Sequence, residues 1–222
     1  MTVTAPSAVE ASGVLFGTVH RGRTGAGSGG AHRVRAPRRW RLKNGLRMLA
    51  SGELLLPLWV WLLRRCAPPG LQFMVAELRG FVTRADGTVV DYGLMGRHLV
   101  TTAGKQFLAS AFDNTVEPEV LKYHGYGTGA TAAAVGDTAL QAELTTQYAT
   151  DNTRPTGTQS HSGATYTTAG TLAPDAAVAV TEWGLFSQAA SPGGTLFDRQ
   201  VFSAVNLATV DSLTTSYTLT IS

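Results

Sequence analysis

Ala177-Val178-Ala179-Val180-Thr181-Glu182-Trp183-Gly184-Leu185-Phe186, then Ser191-Pro192-Gly193-Gly194, then Thr195-Leu196-Phe197-Asp198-Arg199-Gln200-Val201-Phe202: two extended runs rich in β-branched and aromatic residues enclose a turn of proline and glycine, which reads as a β-hairpin. Downstream, Leu213, Tyr217, Leu219 and Ile221 alternate with Thr214, Ser216, Thr218 and Thr220. A period of two with polar residues on one side predicts a strand with one face on a core and one in water. Upstream, the run 75–82 places Glu77 and Arg79 on one face and Leu78 on the other. Asp86-Gly87 then separates it from Thr88-Val89-Val90-Asp91-Tyr92. Asp-Gly supplies the positive φ of a tight turn, so this is a second hairpin.

Two short helices punctuate the strands. Thr101 is an N-cap candidate, and Phe107, Leu108, Ala111 and Phe112 fall on one face at helical spacing. Thr138-Ala139-Leu140-Gln141 matches a capping box and Leu140 with Leu144 makes an i,i+4 pair, which predicts a surface helix over residues 137–144. Residues 120–124 read as a strand running into Gly125-Tyr126-Gly127-Thr128-Gly129, where no Lys follows the glycines and no strand-to-helix context supports a phosphate loop. The Thr- and Ser-rich region 145–173 reads as exposed strands and long loops carrying Tyr148 and Tyr166. These signals together predict an all-β fold, a β-sandwich or jelly-roll-like domain with two short helices over residues 74–222.

Residues 1–73 differ from this body. They hold eleven basic residues against Glu10 and Glu53, a net +9, whereas residues 74–222 hold seven basic and thirteen acidic residues, a net −6. The pI near 9.2 therefore describes neither part and does not argue for nucleic-acid binding by the whole chain. The stretch 1–30 is glycine-rich and reads as linker, and 33–43 is a basic run around Trp40. A ten-residue apolar run at 54–63 is too short to span a bilayer and too late for a secretory signal. Three readings stand for this irregular basic leader: an interfacial or partner-binding helix, a cleaved or disordered leader, and a start assigned too early. The change of composition at Met74 favours the third.

Charged residues are 15% of the chain and hydrophobic ones 44%, which excludes a chain disordered throughout. Cys66 is the single cysteine, so an internal disulfide and a thiolate zinc cluster are both excluded. No constellation predicts an enzyme, a metal or a cofactor. Glu182 lacks the opposing carboxylate of a glycosidase and is expected to face outward or pair with Arg199 across the hairpin. His98, His124 and His161 have no ligand spacing, and His124 beside Tyr123 reads as a strand surface residue. No serine sits in a nucleophile elbow.

Several stretches carry a resemblance. They are Leu99-Val100-Thr101-Thr102-Ala103-Gly104-Lys105-Gln106-Phe107-Leu108-Ala109, Leu121-Lys122-Tyr123-His124 with Gly127-Thr128-Gly129, and Gly136-Asp137-Thr138-Ala139-Leu140. With the hairpin segments 181–186, 194–199 and 202–206, their order resembles small virion structural proteins of tailed bacteriophages, of the tail-fibre, collar or capsid-decoration type. The resemblance covers residues 74–222. It implies a non-enzymatic particle component that forms homo-oligomers and contacts other virion proteins, located in the virion, without nucleic-acid or membrane partners. Tyr123, His124, Tyr126, Glu182, Trp183 and Arg199 are the expected binding or interface residues. The alternative is a receptor- or carbohydrate-binding module of a tail fibre, with Tyr126, Tyr148, Tyr166 or Trp183 as stacking platforms for a host-surface glycan. A membrane- or nucleic-acid-associated factor is a third class and depends on the leader.

Overall fold

The structure is a computed structural model that describes residues 32–66, 74–98 and 100–221. It is mostly β, with two sheets and three α-helices. In chain order these are β1 (Arg33–Arg35), α1 (Arg38–Ala50), α2 (Leu56–Cys66), β2 (Met74–Thr83), β3 (Val89–His98), α3 (Thr102–Phe112), β4 (Tyr123–Gly127), β5 (Thr158–Ser162), β6 (Thr165–Leu172), β7 (Val178–Phe186), β8 (Leu196–Leu207) and β9 (Ser212–Ile221). One sheet has the order β1-β3-β2-β9-β6-β5 and the other β4-β7-β8.

Both expected hairpins form. β7 and β8 pair antiparallel, with Gly184 opposite Arg199 and Glu182 opposite Val201. β2 and β3 pair from Thr83 opposite Val89, so their connection is longer than a two-residue turn. Gly87 supplies the positive φ (79°), and the Asp86 carboxylate accepts from the Thr88 amide at 2.8 Å. In β9, Leu213, Tyr217 and Leu219 are buried as the alternation requires, whereas Ile221, expected on the same face, is exposed where the strand ends. Trp183 of the smaller sheet stacks on Tyr217 of the larger, ring centroids 5.2 Å apart, and apolar residues of both sheets meet in one core.

α3 starts where Thr101 caps it, the hydroxyl accepting from the Gly104 amide at 2.9 Å. Phe107 is buried, but Phe112 is 94% exposed, because five residues carry it about 140° around the helix. The helix expected over 137–144 is absent; the segment is a loop. Its Gln141 and Ala142 amides point at the Glu182 carboxylate, and a tertiary charge outweighs the capping-box signal. Leu140 and Leu144 are both buried, in different apolar clusters. β4 begins three residues later than expected, after a 3₁₀ turn at Pro118–Val120.

The leader also differs from expectation. The glycine-rich stretch 1–30 lies outside the described residues, but 33–66 is not irregular and belongs to the same compact unit as the body. β1 pairs parallel with β3. α1 buries Trp40, Asn44 and Met48. The Trp40 indole donates to Ser203 O (2.8 Å) and meets the Tyr92 ring edge-on at 4.7 Å; Asn44 donates to Met95 O (3.0 Å) and accepts from the Ser203 amide (3.2 Å). The buried face of α1 thus has an asparagine at its centre, which breaks the apolar period by which such a helix is recognised.

Candidate functional site

The expected interface residues gather on β4, β7 and β8, and the structure buries nearly all of them. His124, Tyr126, Glu182 and Trp183 have no exposed surface and Arg199 is 3% exposed; Tyr123 alone is half-buried. The glycines of β4 exist for this packing. A Cβ on Gly125 would stand 2.6 Å from the Phe186 ring, and one on Gly127 2.5 Å from the Glu182 carboxylate.

Glu182 is the hub of a sealed ion network. It accepts from the amides of Gly129 (3.0 Å), Gln141 (3.0 Å) and Ala142 (2.7 Å), and from Arg199 Nε (3.0 Å) and an Arg199 terminal nitrogen (2.8 Å). Arg199 in turn reaches Asp137 (2.8 Å) and Thr131 O (3.2 Å). Of the two expectations for Glu182, pairing with Arg199 is found, on the diagonal of the hairpin, and facing outward is not. Five donors occupy the carboxylate, so it has no lone pair directed to a solvent-borne substrate. Its effect is to bind the loop 128–142 to the second sheet.

His124 is a core residue and not a surface one. Its Nδ1 accepts from the Trp183 indole N–H (3.1 Å), which leaves Nε2 to carry the proton toward the Thr168 hydroxyl (3.2 Å). Thr215 lies 3.1 Å from Nδ1 and 2.8 Å from the Tyr126 hydroxyl, which also reaches Gly170 O. Thr168 and Thr215 are on the larger sheet, so this network links the sheets through satisfied polar groups. Burial holds the His124 imidazole down to about 3, and the ring is neutral at physiological pH. Burial, with the Asp198 charge that its hydroxyl faces at 2.9 Å, pushes the Tyr217 phenol well up.

A second sealed pair escapes sequence reading. Arg154, with its side chain 1% exposed, grips both oxygens of Glu143 and donates to the carbonyls of Gln188, Ala190 and Gly193. Its guanidinium lies over the Phe186 ring at 3.6 Å. Ten residues of loop separate the pair, a distance no spacing rule covers.

Of the proposed stacking platforms, Tyr126, Tyr148 and Trp183 are buried. They have no free ring face for a sugar. Tyr166 is half-buried, with its hydroxyl bound to Leu121 O at 2.6 Å.

A cavity of about 300 Å³ lies among Arg47, Glu53, Arg97, Thr101, Arg199 and Gln200. Each arginine there has a carboxylate partner: Arg47 with Glu53 (2.6 Å), Arg97 with Glu77 (2.6 Å) and Arg199 with Glu182. Burial alone would raise the Glu53 carboxyl; hydrogen bonds from Arg47, the Arg97 amide and Ser51, with the Arg47 charge, hold it below its ordinary range. Three compensated arginines give the cavity no surplus positive charge to attract an anion.

Two features do face solvent. On the larger sheet, Thr165 stands opposite Thr220, Thr167 opposite Thr218 and Thr171 opposite Thr214, a ladder of short hydroxyl side chains of which Thr171 is exposed and the others are half-buried, Thr218 and Thr220 lining a cleft with Pro57, Val60 and Trp61 of α2. On the helices, Leu42, Leu46 and Leu49 form an i, i+4, i+7 stripe on the face of α1 opposite Trp40, Asn44 and Met48. Six more large apolar side chains between 54 and 62 are exposed, among them Leu58 (59%), Trp59 (56%) and Trp61 (55%). Neither the leucine stripe nor its direction is read from the sequence, where residues 33–43 stand out as a basic run. No protein-family model matches this chain, and no curated protein is similar to it at a significant level.

Proposed function

We propose that the chain is a non-enzymatic structural subunit of a tailed-bacteriophage particle, a two-sheet β-sandwich present in several copies on the tail, neck or capsid and acting through contacts with itself and with other virion proteins. The observation that carries the assembly reading is the exposed apolar surface of α1 and α2, nine large side chains within 21 residues. A patch of that density on a soluble chain marks an interaction surface. Two further observations support it. The groups capable of acid-base chemistry on β4, β7 and β8 are enclosed by protein donors and acceptors. The threonine ladder offers hydroxyls whose side chains lose little entropy on contact. The placement in a phage particle comes from the order of motifs in residues 74–222.

The test is quantitative peptide mapping of tailed particles purified from the source culture. Peptides of this chain in fixed, greater-than-unit ratio to a single-copy particle protein are the expected result. Their absence from intact particles, with the protein abundant in the same cells, overturns the reading.

A further inference from the structure

We infer that the outward faces of α1 and α2 dock onto the acidic shoulder around Phe112 of a second copy of this chain, so that copies join head to tail; this rests on the assembly reading above and names the surface that serves it. The area is sufficient. Leaving aside Trp61, which lines a cleft with Thr218 and Thr220 of the larger sheet, eight side chains exposed by about half present on the order of 900 Å², against roughly 800 Å² per partner in a stable interface.

Charge selects the occupant. Between residues 31 and 66 the chain has nine basic residues and one acid, Glu53, which is already bound by Arg47, Ser51, the Arg97 amide and Gln200. A symmetric dimer would set this surface against itself and oppose like charges, which is costly when they are desolvated. The body of the same chain has the opposite sign, with a net −6 over residues 74–222. Among its described residues the most exposed large apolar side chain is Phe112; Asp113, Glu117 and Glu119, which follow it in the chain, are exposed, and with one exposed lysine on the same helix, Lys105, they leave the shoulder a surplus of negative charge. An apolar knob among carboxylates matches leucines and tryptophans among arginines, and aromatic residues with arginine are the usual anchors of such contacts. Because the two surfaces are different patches, the contact is heterologous and builds rings or filaments rather than a closed pair.

The experiment is sedimentation of the full chain, alone and with two variants, Leu58→Ser/Trp59→Ser on the helices and Phe112→Ser on the shoulder. All three side chains are exposed, so folding is retained, and far-ultraviolet dichroism checks this. Wild type is expected to grow in mass with concentration and to weaken at least several-fold in affinity between about 0.1 M and 1 M salt, where charge is screened. Each variant alone is expected to be monomeric, and an equimolar mixture of the two to form dimers that grow no further, one intact surface from each. Assembly of wild type and of either variant to the same extent overturns the docking surface and leaves the assembly reading standing. A wild type that stays monomeric at every concentration overturns the docking of one copy on another, and absence of the chain from purified particles is what overturns the assembly reading. Flotation of the wild-type monomer with phosphatidylglycerol vesicles, lost in the helix variant, would make anionic lipid the occupant. No helix among the described residues is long and apolar enough to cross a membrane, so that outcome would mean surface binding.

Discussion

Removing the Glu182 side chain is expected to be among the most damaging single truncations of a charged residue in this protein. Glu182→Ala leaves Arg199, 3% exposed, with only Asp137 and the Thr131 carbonyl. It also strips the acceptor from the amides of Gly129, Gln141 and Ala142. Breaking a buried pair from one side costs about 3–5 kcal/mol, and the orphaned Gly129 amide, the one buried donor of the three, about 1–3 kcal/mol before water enters. Because Asp137 retains part of the Arg199 charge and water can reach the emptied site, about 4 kcal/mol is expected. For a chain of this size that is roughly 8–16 °C in melting temperature. The assay is thermal unfolding followed by dichroism, with hydrogen exchange read at those three amides, which should lose protection. Glu182→Gln/Arg199→Met, which removes both charges at similar volume, should cost less than the sum of its single changes. A melting temperature within about 2 °C of wild type for Glu182→Ala, or unchanged protection of the loop amides, would refute the account of Glu182 as the anchor of loop 128–142.

Three further predictions follow from the same packing. The His124 imidazole is depressed by burial to about 3, so the folded state takes up fewer protons than the unfolded state below an unfolded value near 6.5; the stability is fully present above that value and falls as pH drops toward 3. About 2 kcal/mol should be lost between pH 6.5 and 5, seen as a shift in the urea midpoint that His124→Gln abolishes. Gly104→Ala should destabilise by about 1–3 kcal/mol although alanine is the better helix former, because its Cβ would meet the Phe197 carbonyl oxygen; the guanidinium midpoint should fall with an unchanged slope. Trp40→Ala, which empties the contact of α1 with Tyr92 and Ser203, should cost about 3–5 kcal/mol; a thermal midpoint equal to wild type would show that α1 does not stabilise the body.

The β character of residues 74–222 was readable because its devices are local. The alternation of β9, Asp86-Gly87, the Pro-Gly-Gly turn and the Thr101 cap each act within a few residues, and each reappears in the structure. What failed had a distant cause. The capping box at 138–141 obeys the local rule, but a carboxylate some forty residues away holds its amides. Tyr126, Tyr148 and Trp183 are amphipathic enough to suit a binding face or a core, and only the apposition of the second sheet, with partners for each polar atom, decides for the core.

The leader is where the two levels diverge most. Its basic charge is a property of the sequence alone, but its apolar residues fall on two opposite sides of α1, Trp40 and Met48 on one and Leu42, Leu46 and Leu49 on the other, so no single apolar period marks the helix and the leader reads as irregular. Which face it buries is a tertiary matter: Trp40, Asn44 and Met48 face the body because Ser203, Tyr92 and Met95 offer them hydrogen bonds and a ring edge, and no property of residues 33–66 encodes those partners. The leucines are then left in water by geometry, since side chains on opposite sides of one helix cannot both reach the same core. Charge is written in the chain; the direction of a face is set by long-range contacts, and here those contacts turn an apparent appendage into part of the fold and its leucine stripe into a surface.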